Sequence, residues 1–446
     1  MENHIVIIGN GIAGITTARH IRKNDSEAKI TVISAETEHF FSRTALMYIY
    51  MGHMRYKDTK PYEDWFWSKN RIDLVNGYVD SIDFDNQTLN LDSQKIQYDK
   101  LVIATGSIPN KFGWKGQDLP GVQGLYSKQD LDLLEESTKD NKVKRAVIVG
   151  GGLIGVEFAE MLLSRGIKVT FLVRENRFWG GVLPLEEGAM IANHMTNDHH
   201  VDLRLEEELD EVVEGKDGRA SAVITKNGER IECELVGLTA GVRPNIDFLK
   251  ETKLDIGKGI KVNKFLETNV PNVYAAGDCA EVQETVENRR PIEAVWYVGR
   301  MMGETLGHTL TGNKIAYKPG VWFNSAKFFD VEFQTYGNVS ANEQDGESSF
   351  YWKHPTEHIS FRAIYDSNSK ALKGINNFGI RLRHKICDHW IKSKTPIEKV
   401  MVELRNANFD PEFYKQYEED IIAQFNEENG TSIKPKKRNL MAIFGR

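Results

Sequence analysis

The sequence predicts an α/β fold made of two parallel-sheet units in succession, followed by an α+β region. Three observations carry this prediction. A strand, a glycine turn and a helix follow one another near the N-terminus; the same pattern recurs about 140 residues later; and aromatic, β-rich segments follow from about Gly320. At 446 residues the chain is long enough for two or three domains, each with its own core. Its 40% hydrophobic and 27% charged residues are ordinary soluble values, and a net charge of -7 speaks against a general affinity for nucleic acid. No stretch approaches the roughly 18 apolar residues of a membrane span. The first apolar run, "IVIIG", starts at Ile5 without a charged segment before it, so the cytoplasm is the expected location.

The first unit is "HIVIIGNGIAGITTARHIRK". Gly9, Gly11 and Gly14 fit GxGxxG: the first permits a tight turn, the second lets backbone approach a pyrophosphate, and the third lets helix and strand pack closely. The next strand, "KITVIS", ends just before Glu36, 22 residues after Gly14, where a ribose hydroxyl needs an acceptor. Strand, turn, helix, strand and acid together predict a Rossmann-like dinucleotide-binding domain. The pattern recurs at "KRAVIVGGGLIGVEFAEMLLSRGIKVTFLVRE", with Gly150, Gly152 and Gly155 at the fingerprint positions. Two such units imply two dinucleotides.

Between them, "YDKLVIATGSIPN" is an apolar strand ending in the small turn Ala104-Thr105-Gly106. Downstream, "VPNVYAAGDCAEV" closes on Gly277-Asp278, and a helix is expected from about Ile292 in "PIEAVWYVGRMMGETLG". A carboxylate there suits a ribityl or phosphate-linked hydroxyl; taken alone, Asp278 reads equally as a helix cap. Cys233, Cys279 and Cys387 lie far apart with no CxxC. The pairs His199/His200 and His384/His389 lack an HExxH or carboxylate context, so no metal site is expected.

The ordered series GNGIAG, ATGS, GGGLIGVE, "TAGVRPN" and "VYAAGDCA" resembles the FAD-dependent pyridine nucleotide oxidoreductases, the two-dinucleotide-binding flavoproteins. The likeness is nearest the nitrite reductase, rubredoxin reductase and ferredoxin reductase branch. It implies a discontinuous FAD domain over 1–115 and 245–320, an NAD(P) domain over 116–244, a C-terminal interface domain over 321–390, and a helical extension with a basic tail over 391–446. It also implies a homodimer. Gly9, Gly11, Ala13 and Gly14 would then hold the FAD pyrophosphate, Glu36 the adenosine ribose, and Arg43 would lie along the cofactor. Ala104, Thr105, Gly106, Gly277 and Asp278 would border the same FAD, with Trp296 near the flavin ring. Gly150, Gly152, Gly155 and Gly241 would serve NAD(P)H. Glu157 resembles an acid close to the nicotinamide. Tyr48 stands where several relatives carry a lysine able to pair with that acid, and a phenol hydrogen bond to Glu157 is the expectation here.

The residues after "KVTFLV" bear on NADH or NADPH, because an acid binds a free ribose 2′-hydroxyl and arginine accommodates a 2′-phosphate. Glu175 occupies the place of the acid; Arg174 and Arg177 resemble a basic pair, so the choice stays open. Relatives that reduce disulfides use a cysteine near the flavin. "FFSRTALMY", residues 40–48, offers only Ser42, whose hydroxyl cannot replace a thiolate. Glutathione-, thioredoxin- and coenzyme A disulfide-type activities are therefore not expected. The resemblance then implies hydride transfer from NAD(P)H to FAD and electron transfer to a separate acceptor, an iron-sulfur or other small redox protein or a quinone.

Two alternatives stand beside this: a type II-like NADH:quinone dehydrogenase, although the AQxAxQ pattern is missing, and an NADH-sensing regulator resembling apoptosis-inducing factor. In the last hundred residues, "VWFNSAKFFDVEFQTYGNV" and "ISFRAIYDSNSKALKGINNFGI" read as strands with a turn at "DSNSK". Helices separated by a stop at Asp410-Pro411 follow, then the basic, apolar tail "KPKKRNLMAIFGR".

Overall fold

The computed structural model describes residues 3–92, 94–285, 289–409 and 415–436. The Asp410-Pro411 stop and the final ten residues of the basic tail lie outside the described residues. The chain forms two compact units: residues 1–150, 161–168 and 209–319 make the first, and residues 151–160, 169–208 and 320–446 the second.

The first unit is built on a five-stranded parallel sheet in the order Val273–Ala275, Lys100–Ile103, His4–Ile8, Lys29–Ser34, Ile72–Asn76. The run "KITVIS" is buried at every position after Lys29. Such continuous burial is what a parallel strand covered on both faces requires. A second parallel set joins Val122–Gln123, Leu235–Leu238 and Arg145–Val149. The unit also holds two small antiparallel sheets, Val79–Asp83 with Thr88–Leu91 and Gln94–Gln97, and Leu209–Glu214 with Ala220–Thr225 and Arg230–Glu232.

Helix Trp296–Leu310 lies against helix Ile12–Asn24 along the stripe Gly299, Gly303, Gly307, one glycine per turn. A Cβ on Gly303 would stand 2.5 Å from the Ala13 carbonyl oxygen, and one on Gly307 2.2 Å from the His20 Cβ. The helix starts at Trp296 rather than near Ile292, because Val295 is extended (φ -136°) and serves as its N-cap. Arg289 holds the segment ahead of it through Glu293, with Nε to Oε1 at 2.7 Å, both side chains buried.

The second unit contains strand Lys168–Val173 from Val169 onward, paired in parallel with Asp202–Leu205. It also contains a five-stranded antiparallel sheet ordered Phe323–Phe328, Val331–Gly337, Leu372–Phe378, Ser360–Asp366, Glu347–Lys353. The turn expected at "DSNSK" is present, with Asp366 accepting from the Ser369 N–H at 2.8 Å. Helices His384–Lys392, Ile397–Ala407 and Glu418–Asn429 share one core with this sheet, in which Trp352, Phe361 and Ile375 meet Trp390, Leu404 and Phe425. Among the described residues no helix is long and apolar enough to cross a membrane.

The glycine stripe sets a stability prediction. Gly303→Val forces backbone apart and is expected to cost roughly 1–3 kcal/mol, seen as a lower midpoint in thermal or denaturant unfolding. Gly181→Ala, at a position with nothing within 4 Å of the new methyl group, should leave that midpoint unchanged.

Candidate active site

The three glycines of the first turn have distinct physical roles. Gly9 has φ +110°, and a Cβ there would lie 2.1 Å from the Ala104 carbonyl oxygen. At Gly14 a Cβ would lie 2.0 Å from the Gly9 oxygen. Both are therefore required by close approach of backbone. Gly11, the N-cap of helix Ile12–Asn24, has an ordinary φ of -68° and nothing within 4 Å of a Cβ. It leaves backbone N–H groups open on the side where an anion would sit. The second turn repeats this: Gly150 has φ +114° and a Cβ position 2.7 Å from the Thr239 oxygen, whereas Gly152 faces open space. Gly155 is buried on the following helix.

Beside the first turn runs a polar network within the first unit. Arg43 donates to Glu36 through both terminal nitrogens, at 2.8 and 2.5 Å, and to the Tyr126 carbonyl at 2.6 Å. Glu36 also accepts from the Lys128 backbone N–H at 2.9 Å. The Arg43 guanidinium lies 4.5 Å from the Tyr126 ring centre. Tyr126 in turn donates its hydroxyl to Asp278 at 3.3 Å, and the Ser107 hydroxyl donates to the same carboxylate oxygen at 3.1 Å. Burial would lower the Arg43 pKa, but the Glu36 carboxylate outweighs it and the pKa is raised. Burial also raises Asp278, against the hydrogen bonds from Ser107 and Tyr126 and the Arg43 charge. It pushes the Tyr126 phenol up to about 12. Arg43 thus has a partner inside the protein, and Asp278 accepts these side-chain bonds rather than capping the following helix, whose cap is Val295.

Other residues singled out in the sequence join this region. The Thr105 hydroxyl donates to the Asn245 oxygen at 2.7 Å, and the Asn245 N–H to the Gly106 oxygen at 2.9 Å. Gly241 (φ +84°) accepts from the Asn110 N–H at 3.0 Å. The loops after Ala104 and Thr239 are thereby zipped together. A Cβ on Gly277 (φ +78°) would lie 3.0 Å from the Ala13 Cβ. Trp296 is half-buried at the start of its helix, edge-on to Tyr297. Tyr48, also half-buried, stacks on His53 with ring centres 6.1 Å apart. Tyr126 and Ser107 were not singled out in the sequence. The only local sign was the capping box "SKQD", in which Ser127 accepts from the Asp130 N–H at 3.0 Å and so fixes the position just after Tyr126.

In the second unit, Glu157 stands one turn before Glu160 on a helix. Burial first, and the Glu160 charge second, push its carboxyl up to about 7. Glu160 is itself paired with Lys327 at 2.9 Å. Arg174 and Glu175, the opposed signals for the two nucleotides, pair with each other at 3.0 Å on the surface. Arg177 is committed elsewhere, donating to the Gly180 and Ala341 oxygens and to Asn342.

All three cysteines are buried. Burial raises the thiols of Cys233, to about 12, and of Cys279 and Cys387. Cys279 points at the carbonyl oxygens of Ile103 and Ala276, both at 3.4 Å, a packing role rather than that of a thiolate nucleophile.

Comparison with known proteins agrees with this architecture. The family model described as pyridine nucleotide-disulphide oxidoreductase matches residues 3–303. The chain is 33% identical over 404 residues to the NAD(P)H sulfur oxidoreductase (CoA-dependent) of Pyrococcus abyssi, covering 86% of this chain and 89% of that protein. It is 31% identical over 289 residues to the rubredoxin-NAD(+) reductase of Acinetobacter baylyi, covering 63% of this chain and 73% of that one. The solved structure of an NAD-dependent persulfide reductase from A. fulgidus superposes with a TM-score of 0.83 at 22% identity, covering 98% of this chain and 89% of its own. The two open-sided glycine turns, the sheet order of the first unit and the extent of these matches lead to one conclusion: the chain belongs to the pyridine nucleotide-disulphide oxidoreductase family and is an enzyme that draws on a pyridine nucleotide.

Proposed function

We propose that this enzyme is an FAD-dependent NAD(P)H:acceptor oxidoreductase that sends electrons to a separate small redox protein without using a redox-active cysteine. The observation that carries the reading is the chemistry around Arg43. The charge network at the first glycine turn contains carboxylates, hydroxyls and a guanidinium; Cys279, next to Asp278, is buried with its thiol on the Ile103 and Ala276 carbonyls, and Cys233 and Cys387 are buried outside the network. The residues present fit the flavin dinucleotide. Open space at Gly11 admits a pyrophosphate beside free N–H groups, and Glu36 and Asp278 supply carboxylate acceptors for ribose and ribityl hydroxyls.

FAD, when bound, accepts a hydride and releases its electrons singly. The chain's own part is to bind and orient. Gly9, Gly11, Ala13 and Gly14 would seat the pyrophosphate, Arg43 would hold Glu36 in place, and Ser107 and Tyr126 would aim Asp278. Ala104, Thr105, Gly106 and Gly277 would shape the passage, with Trp296 beside the ring. Gly150, Gly152, Gly155 and Gly241 would receive NAD(P)H, with Arg174 and Glu175 reading the 2′ position. Glu157 would hold a proton near the nicotinamide, as its carboxyl near 7 allows.

A second reading takes its support from the Pyrococcus abyssi relative, whose name specifies sulfur and coenzyme A. A sulfur acceptor would have to be reduced by the flavin directly, with no thiol of this chain in relay. Anaerobic steady-state assays with NADH and NADPH against rubredoxin, ferredoxin, coenzyme A persulfide and glutathione disulfide decide between the two. Turnover with the small iron-sulfur carriers is the expected result; rapid disulfide or persulfide reduction alone overturns it.

Two further outcomes follow. Asp278→Ala removes charged hydrogen bonds of about 1.5–3 kcal/mol each and should weaken FAD binding by tenfold or more, measured by flavin absorbance after dilution and filtration. For Glu157, a raised pKa means that the favourable protonated form is complete below the ordinary carboxylate range and is lost as pH rises through about 7. The rate of flavin reduction by NAD(P)H in stopped-flow should therefore show an inflection near 7 that Glu157→Gln abolishes.

A further inference from the structure

The second unit holds a cluster of three histidines and two aspartates that the dinucleotide chemistry leaves unused. His194 and His199 bracket a π-helical turn, His194–Asp198, that continues helix Leu185–Asn193. The turn is closed by the His199 N–H to the His194 oxygen at 3.3 Å. A π turn places residue i+5 over residue i, which an α-helix would not do; such turns recur at functional sites. Here it brings the two imidazoles within 3.2 Å, Nε2 to Nε2. Asp330 enters from the hairpin turn between strands Phe323–Phe328 and Val331–Gly337. Its Oδ1 lies 2.6 Å from His194 Nε2 and 3.2 Å from His199 Nε2. The adjacent Phe329, at φ +56°, stacks its ring on His199 with centres 4.1 Å apart and fixes that imidazole.

We infer that His194 Nε2, His199 Nε2 and Asp330 Oδ1 form a site for one divalent transition-metal ion of the zinc class. Three donor atoms at mutual distances of 2.6, 3.2 and 3.2 Å match one face of a tetrahedron. Bonds of about 2.0–2.2 Å to zinc put neighbouring ligand atoms roughly 3.3–3.5 Å apart, so His194 and Asp330 need to part by less than about 1 Å. Two neutral imidazoles that aim Nε2 at each other can share only one proton between them, whereas a cation satisfies both lone pairs. The support for His194 is in place as well. Its Nδ1 lies 2.8 Å from Asp198 and, carrying the proton there, would leave Nε2 to the ion; His358 Nε2 lies 2.7 Å from the same Asp198 oxygen. This carboxylate behind a buried imidazole is the arrangement that orients histidine ligands in metal sites. An N₂O donor set favours zinc, cobalt or nickel over magnesium or calcium. Two histidines, one carboxylate and a remaining water-filled position make the ion a staple joining the helix, the hairpin and, through Asp198, the segment ahead of strand Ser360–Asp366. Local spacing hid the site: no sequence motif links residues 194–199 to residue 330.

The test uses the full-length, flavin-loaded protein, treated with a chelator and then titrated with Zn²⁺ by calorimetry and with Co²⁺ by visible absorption. One saturable equivalent per chain is expected, with a cobalt spectrum of tetrahedral type and a thermal midpoint that rises on adding Zn²⁺. His199→Ala and Asp330→Asn should abolish all three signals; Asp198→Asn should weaken binding by roughly 10–100-fold. His389→Ala, on the exposed face of helix His384–Lys392, should change nothing. Flavin content and far-ultraviolet circular dichroism report whether each variant is folded. No saturable uptake by the wild-type protein, or uptake that survives in folded His199→Ala and Asp330→Asn alike, overturns the site.

Discussion

Stretches of chain far apart in sequence meet at Ala13, and they do so because glycines let backbone touch backbone. The Gly9 turn presses on Ala104, Gly277 reaches the Ala13 side chain, and Gly303 lies under the Ala13 carbonyl. A side chain at Gly9 or Gly303 would need room that belongs to main-chain atoms, and one at Gly277 would crowd the Ala13 methyl group. Interiors packed at crystal density cannot open locally to admit it. The first strand–turn–helix, the Gly277-Asp278 turn and the helix beginning at Trp296 are therefore held in one arrangement. That arrangement brings Asp278 into reach of Ser107 and Tyr126, and leaves open space at Gly11.

The charges sit on this frame rather than create it. Glu36 and Arg43 are both only partly exposed, so their pairing offsets desolvation more than it adds stability. Its value is positional. Each Glu36 oxygen is fixed by a bidentate guanidinium, and one of them also takes the Lys128 N–H, so the carboxylate cannot rotate away. Tyr126 links this pair to Asp278 through its carbonyl at one end and its hydroxyl at the other. A network in which each member is satisfied is rigid, and rigidity is what placing a dinucleotide demands.

Much of this was legible in the sequence. "KITVIS" and "KVTFLV" are the strands their β-branched, unbroken runs predict, and the glycine positions marked both turns. The sheet segments around "DSNSK" were readable for the same reason, because alternation and turn chemistry are local. The start of helix Trp296–Leu310 was not, since the extended Val295 and the Arg289–Glu293 pair ahead of it are set by tertiary contacts. Strand Glu347–Lys353 was missed because "ESSFYWK" becomes a strand through its antiparallel partner Ser360–Asp366. Glu36 and Arg43 were each named, but their mutual pairing lies in irregular chain where spacing predicts no contact. Tyr126, Ser107 and the histidine cluster depend on segments brought together from a hundred or more residues away, and a single sequence carries no record of that.

The central claim is that the flavin is the only redox centre of this enzyme. Anaerobic reductive titration, following the flavin spectrum as electrons are added, counts the centres directly. Full reduction with two electrons per FAD is the result the account predicts, with no further uptake and no thiol-dependent intermediate. Consumption of additional electrons per FAD would reveal a second redox centre, and would contradict it.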